Sequence, residues 1–205
     1  MAVPASGNEL SLLGIMRELS TNNYNASNTY TNISLDSLSS GDVEEINTNS
    51  SARPDESPPH LMSEFYSYDH DFAPPSFSSV IANFFLSTTA GGNTVTSTLK
   101  SFTLSNATGN LTATLSFGIH GDGGSTVQIS ISDDGDPGVD GTGNNATGYV
   151  SHGSTATISS VSSGTIYARF RLTSGSGGLA STGVTCTFTN GGVTDEVIVT
   201  CAVAK

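Results

Sequence analysis

From Ser78 to the end of the chain, apolar side chains recur at every second position and glycine-rich breaks interrupt them at short intervals. Leu111, Ala113, Leu115, Phe117 and Ile119 fall on one side, with Thr112, Thr114 and Ser116 on the other. Ile166, Ala168, Phe170 and Leu172 alternate in the same way with Tyr167, Arg169 and Arg171. A period of two is the signature of strands with one face in a core. The runs Ser79–Leu86, Lys100–Leu104, Leu111–Ile119, Val127–Ser132, Thr155–Val161, Thr165–Leu172, Gly183–Thr189 and Glu196–Val203 are the expected strands. Ala-Gly-Gly-Asn at 90–93, Gly-Asp-Gly-Gly at 121–124, Ser-Gly-Ser-Gly-Gly at 174–178 and Asn-Gly-Gly at 190–192 supply turns between them. About eight short strands with this punctuation predict an antiparallel β-sandwich, immunoglobulin-like or jelly-roll. The outward positions are threonine and serine rather than lysine and glutamate, which gives strand propensity at low charge.

Residues 1–75 follow a different rule. They hold 2 basic residues (Arg17, Arg53) against 11 acids, a net charge of −9, whereas residues 76–205 hold 4 against 7, a net of −3. We therefore expect two regions, 1–75 and 76–205, in a mainly β protein. Leu10, Leu12, Leu13, Ile15, Met16 and Leu19 form a helical stripe, for which Ser6 or Asn8 is the expected cap. Ile33-Ser34-Leu35-Asp36-Ser37-Leu38 offers Ser34 as a cap and Gly41 as a stop, and Leu61-Met62-Ser63-Glu64-Phe65-Tyr66 has a similar shape. Leu12/Ile15, Leu35/Leu38 and Met62/Phe65 make three apolar i,i+3 pairs at spacings of 23 and 27 residues. The connectors between them, Thr21–Asn32 and Asp42–Pro59, are polar or acidic and are not expected to fold alone. The predicted form is an extended arm with short helical turns that orders on a partner. Its anchors are Leu10, Leu12, Leu13, Ile15, Leu35, Leu38, Met62, Phe65 and Tyr66.

Composition narrows the partners. A net charge of −12, from 6 Lys or Arg against 18 Asp or Glu, argues against a nucleic-acid backbone or an anionic membrane surface. No apolar run approaches the ~20 residues of a membrane span, and Met1–Gly7 lacks the features of a signal peptide. Cys186 and Cys201 fall at inward positions of the last two strands and are expected as small buried hydrophobes, their pairing depending on register.

Chemistry-bearing motifs are sparse. Asp133, Asp134, Asp136 and Asp140 crowd one glycine-rich loop and could cage Ca²⁺, although the spacing departs from the EF-hand pattern. No other cofactor is expected. His60, His70, His120 and His152 show no metal-ligand spacing, and neither a nucleophile elbow nor a phosphate loop occurs. No enzyme is expected. Tyr149, Tyr167 and the Asp- and Asn-bearing loops are the candidate lining of a glycan site.

Val3-Pro4-Ala5-Ser6-Gly7-Asn8-Glu9-Leu10-Ser11-Leu12, Ile33-Ser34-Leu35-Asp36-Ser37-Leu38 and Met62-Ser63-Glu64-Phe65-Tyr66 resemble the opening phrases of small virion structural proteins of tailed bacteriophages. Those proteins often begin with a proline and Ser-Gly-x-Ile-Ser-Leu, and later carry Ser-Leu-Ser-Asp/Glu-Phe-Tyr-Gly; here Ser67 follows Tyr66. The resemblance covers roughly residues 1–70. It implies a particle component of neck, tail, baseplate or capsid surface, assembled in the host cytoplasm. Its implied partners are other virion proteins and copies of itself, and it assigns no catalytic residue. A capsid decoration protein, or an adhesin module for a host-surface glycan or protein, is the alternative expectation.

Overall fold

The computed structural model describes residues 2–78, 81–116, 124–177 and 179–204. The start of the expected strand at 79, the end of the one at 119, His120 and most of the turn at 121–124 lie outside them. The chain divides into two compact units, Met1–Ala73 and Pro74–Lys205.

In the first unit, helix α1 spans Leu12–Thr21 and α2 spans Leu35–Ser39, and a single 3₁₀ turn covers Met62–Phe65. The cap of α1 is Ser11, not Ser6 or Asn8: its Oγ accepts the Gly14 N–H at 2.9 Å. The helix ends at Asn22, in the left-handed region at φ 52°, whose N–H donates to Glu18 O. Ser34 caps α2 as expected, accepting the Ser37 N–H at 3.1 Å. Glu64 holds the 3₁₀ turn by accepting the Leu61 N–H at 2.7 Å, and its other oxygen accepts the Ser39 hydroxyl at 2.9 Å. The second and third apolar phrases are thereby tied together.

Ile15, Leu38 and Phe65, the second members of the three i,i+3 pairs, are each 0% exposed and share one core with Val3, Leu19, Tyr24, Ile46 and Tyr68. The first members, Leu12, Leu35 and Met62, pack around it half-buried. The loose repeat is therefore three turns that donate one side chain each to a common centre. The polar connectors are fixed by staples rather than by apolar burial. The Asn47 side-chain amide donates to the carbonyls of His70 (2.8 Å) and Phe72 (2.9 Å), while its own N–H donates to the Tyr68 hydroxyl. Gly14, which costs helix propensity, lies under the Tyr24 ring: a Cβ there would come within 2.3 Å of it. Where the sequence predicts an arm that stays extended until it meets a partner, residues 2–73 pack on themselves.

The second unit is a two-sheet sandwich. Its strands are β1 (Ser76–Ser78), β2 (Phe84–Thr89), β3 (Thr94–Thr96), β4 (Lys100–Ser105), β5 (Leu111–Leu115), β6 (Thr126–Ser132), β7 (Val150–Ser151), β8 (Thr155–Ile158), β9 (Gly164–Thr173), β10 (Leu179–Asn190) and β11 (Val193–Ala204). One sheet runs β1-β4-β9-β6-β7, with β3 also paired to β9; the other runs β2-β11-β10-β5-β8. Pairing is antiparallel except between β2 and β11, which run parallel. Aromatic pairs join the inner faces: Phe102 on β4 meets Phe188 on β10 with centroids 4.7 Å apart, and Phe84 on β2 meets Phe170 on β9 at 5.1 Å. Cys186 faces Val197 across the β10–β11 ladder and Cys201 faces Thr182. The thiols are thus four ladder positions apart, about 14 Å along the strand, beyond disulfide reach; both are free and buried.

Candidate functional site

The expected anchors divide by depth. Ile15, Leu38 and Phe65 are consumed by the N-terminal core, because three neighbouring turns offer a closer apolar partner than any outside surface. Leu10, Leu12, Leu13, Leu35, Met62 and Tyr66 remain half-buried at its edge. Two residues that periodicity did not single out are the more open ones: Leu61 is 55% exposed and Val43 is 39% exposed. Val43 sits in a connector and Leu61 is the cap residue before the 3₁₀ turn, positions where helical phase carries no information about which way a side chain points.

The aspartate loop is organised around an arginine. Asp136 makes a two-pronged contact with Arg169 on β9, Nε to Oδ1 at 2.6 Å and Nη2 to Oδ2 at 2.5 Å, and Oδ1 also accepts the Gly138 N–H at 2.9 Å. The Arg169 guanidinium holds the Asp136 carboxyl down at about 2. Arg169 in turn donates to Ser97 O at 2.8 Å. Asp140 accepts the Thr142 N–H at 3.2 Å and is held below its ordinary range by that bond. Among the described residues, the oxygens of Asp133, Asp134, Asp136 and Asp140 do not gather within reach of one ion. The charge expected to attract Ca²⁺ is met by a strand residue 33 positions away in sequence, a partnership that local spacing does not reveal. Next to it, the Arg171 guanidinium lies 4.0 Å from the centroid of the Tyr149 ring and donates to the Gln128 side-chain oxygen. Gly141, at φ 77°, lets the loop close on Tyr149, since a Cβ would approach that ring to 2.7 Å. This loop is pinned to the outward side of β6 and β9.

A second acidic group was not anticipated. Glu18 on α1 is 0% exposed. Its Oε2 accepts the Tyr24 N–H at 2.9 Å and its Oε1 accepts the His70 N–H at 3.3 Å. Oxygens of Asp69 and Asp71 lie within 4.8 Å of it and of each other. Burial pushes the Glu18 carboxyl up, against the pull of those two N–H groups. A shared hydrogen bond with Asp71, then burial, pushes Asp69 up. Residues 18, 69 and 71 read in sequence as ordinary surface acids; only Glu18, placed among apolar residues of the α1 stripe, carries a trace of its burial.

The three described histidines do not come together. His60 lies 3.3 Å from Asp36, His70 Nδ1 is 2.9 Å from the Tyr68 hydroxyl, and His152 Nδ1 is 3.2 Å from Leu115 O. On the sandwich, Thr157, Thr112, Thr189 and Thr194 stand in one cross-strand row of the second sheet, and Thr155, Thr114, Thr187 and Glu196 stand in the next. Phe85 (57% exposed) and Ile198 (43%) stand on β2 and β11 of that sheet. Asn145, Ala146, Thr147, Thr157, Ile158 and Ser159 line an open depression of about 300 Å³. No helix of the described chain is long and apolar enough to cross a membrane.

No family model matches the chain, and no curated protein does. Among solved structures it is similar to the N-terminal domain of PorA, at 10% identity and TM-score 0.33 over 63% of this chain and 96% of that one. It is also similar to the CooA pilin subunit from enterotoxigenic Escherichia coli, at 11% identity and TM-score 0.37 over 65% of this chain and 100% of that one. A third is AvmM, which catalyses macrocyclization in alchivemycin A biosynthesis, at 11% identity and TM-score 0.31 over 64% of this chain and 88% of that one. At this level of similarity the three assign no activity and no partner to this chain.

Proposed function

We propose that this chain is a structural component of a bacteriophage particle, an appendage protein of neck, tail or baseplate that docks through its N-terminal unit and projects its β-sandwich. The observation that carries this reading is the three-phrase repeat, whose turns build one small acidic unit distinct from the sandwich. Docking then falls to the side chains that this unit leaves outside, Leu61 and Val43, together with the half-buried Leu10, Leu12 and Met62. The net charge of −9 on residues 1–75 favours a basic partner surface. Copies related by the symmetry of the particle would each use the same contact. The protein carries out no catalysis in this reading.

The test uses the full chain supplied to particles that lack it. Leu61→Asp combined with Val43→Asp is expected to abolish incorporation into purified particles, while Phe85→Asp on the sandwich leaves it intact. Loss of incorporation with Phe85→Asp alone would reverse the assignment and favour a decoration protein seated through its sandwich. A glycan-binding reading draws on one observation, the amide- and hydroxyl-lined depression at Asn145, Thr147 and Thr157. Binding on a glycan array that Asn145→Ala and Thr157→Val remove would support it.

A further inference from the structure

The N-terminal unit contains two arginines, and both are engaged by backbone carbonyls: Arg17 Nε donates to Asn28 O at 2.7 Å and Arg53 Nη1 donates to Thr48 O at 3.0 Å. Neither answers the three carboxylates of Glu18, Asp69 and Asp71. Asp69 Oδ1 is buried and, with both aspartates ionised, has no donor among the described residues. A proton on Asp69 or Asp71 supplies the missing donor and removes one of three crowded charges. Glu18 is the mechanical centre, because its two oxygens hold the loop at Tyr24 and the closing segment at His70 onto α1.

We propose that Glu18, Asp69 and Asp71 form a proton-dependent lock: protons held among the three carboxyl groups keep the Tyr24 loop and the His70 segment seated on α1, and the N-terminal unit loosens as those protons leave. The other titratable groups that act on the cluster do not cancel it. The Tyr68 hydroxyl is bound to Asn47 N–H and His70 Nδ1, burial raises its own ionisation range, and the charges of Glu18, Asp69 and Glu56 raise it further. The α-amino group opposes the shifts of Glu18 and Asp69 but ranks below burial in both. The sign follows from linkage. Glu18 and Asp69 bind protons more tightly in the folded unit than their ordinary values of 4.5 and 3.8 allow in the unfolded chain. Their stabilising contribution is full below those values and is lost as pH rises through the raised ones. Each proton released in that window raises the opening constant by up to about tenfold per pH unit.

This lock is independent of what the unit docks to, so it is tested on the free full-length protein. Amide exchange at Tyr24 and His70, corrected for intrinsic rates, is measured from pH 4.5 to pH 8. Protection is expected to fall as pH rises, while that of Ile129 and Phe170 in the sandwich stays level. Asp71→Asn replaces an exposed charge with a donor that Asp69 Oδ1 can accept, and is expected to restore protection at pH 8 and flatten the profile. Glu18→Gln should flatten it as well, even if the unit is weaker throughout. A wild-type profile that is level or rises with pH overturns the proposal, as does an Asp71→Asn profile with the wild-type slope.

Discussion

Asp136 in the sandwich and Glu18 in the N-terminal unit are both carboxylates that the fold draws onto backbone N–H groups, yet their surroundings push them in opposite directions. Asp136 keeps 37% of its side chain in water and meets a guanidinium, so its charge is favoured. Glu18 is fully enclosed beside two more acids and meets only neutral donors, so its charge is disfavoured. The difference lies in what each region can spare. The sandwich fills its interior from two alternating sheet faces and leaves Arg169 free on the outer side of β9 to clamp a loop. Among its described residues the N-terminal unit buries eight apolar side chains, and it holds its connectors by polar staples, which brings acids inward with the backbone they secure. Neutralising a buried carboxyl needs a partner or a proton.

The largest effect expected is in the sandwich. Phe170→Ala removes a ring packed on Phe84 and should cost about 3–5 kcal/mol. Region-resolved amide exchange should show the loss at Ile129 and Leu172 with Ile15 and Leu19 unmoved. If Ile15 and Leu19 lose protection equally, the two units unfold as one and the contrast between them collapses. Next, Gly14→Ala should destabilise the N-terminal unit by about 1–3 kcal/mol through its clash with Tyr24, where helix propensity alone predicts a gain of about 1 kcal/mol. In a Tyr24→Ala background the same substitution should turn neutral or favourable, which a double-mutant cycle would read directly.

Asp136→Asn should have a smaller effect, about 1 kcal/mol or less at neutral pH, because the pair is partly solvated. Its contribution is present above the ordinary 3.8 and disappears as pH falls through about 2. Denaturation at pH 7 and pH 2 should therefore separate wild type from Asp136→Asn at the higher pH and merge them at the lower, the reverse of the trend expected for the N-terminal unit. Smallest of all, thiol reagents at pH 8 should leave the native protein unlabelled. Cys186 and Cys201 are both 0% exposed, and burial pushes the Cys201 thiol up to about 12. Two equivalents of label should appear only after denaturation, and labelling of the native state would show that the β10–β11 ladder opens.

Much of the fold was legible because a period of two names the inward residues directly. The strands around Phe102, Leu111, Ile129 and Ile166 were placed by alternation, and so was the inward aim of both cysteines. What alternation missed were short strands with too few residues to show a period, β1, β3 and β7, and the parallel pairing of β2 with β11, which depends on where two distant segments meet. In the N-terminal unit the i,i+3 pairs picked out turns whose second members, Ile15, Leu38 and Phe65, close on one another. Phase tells which side chains share a face of a turn, not whether that face closes on another turn or on a partner. The partner of Asp136 was hidden for a related reason, since Arg169 stands on β9, far away in sequence, and Glu18 was hidden by its ordinary side chain.

The sequence by itself determined the sandwich and the residues that fill its core, because the alternation of side chains along a strand is set by local backbone geometry. Only the tertiary structure decided that Ile15, Leu38 and Phe65 satisfy one another, that Arg169 pairs with Asp136 of the acid loop, and that Glu18, Asp69 and Asp71 converge. Those outcomes depend on charges and surfaces brought together from far apart in the chain, and electrostatic energy responds to distance in space.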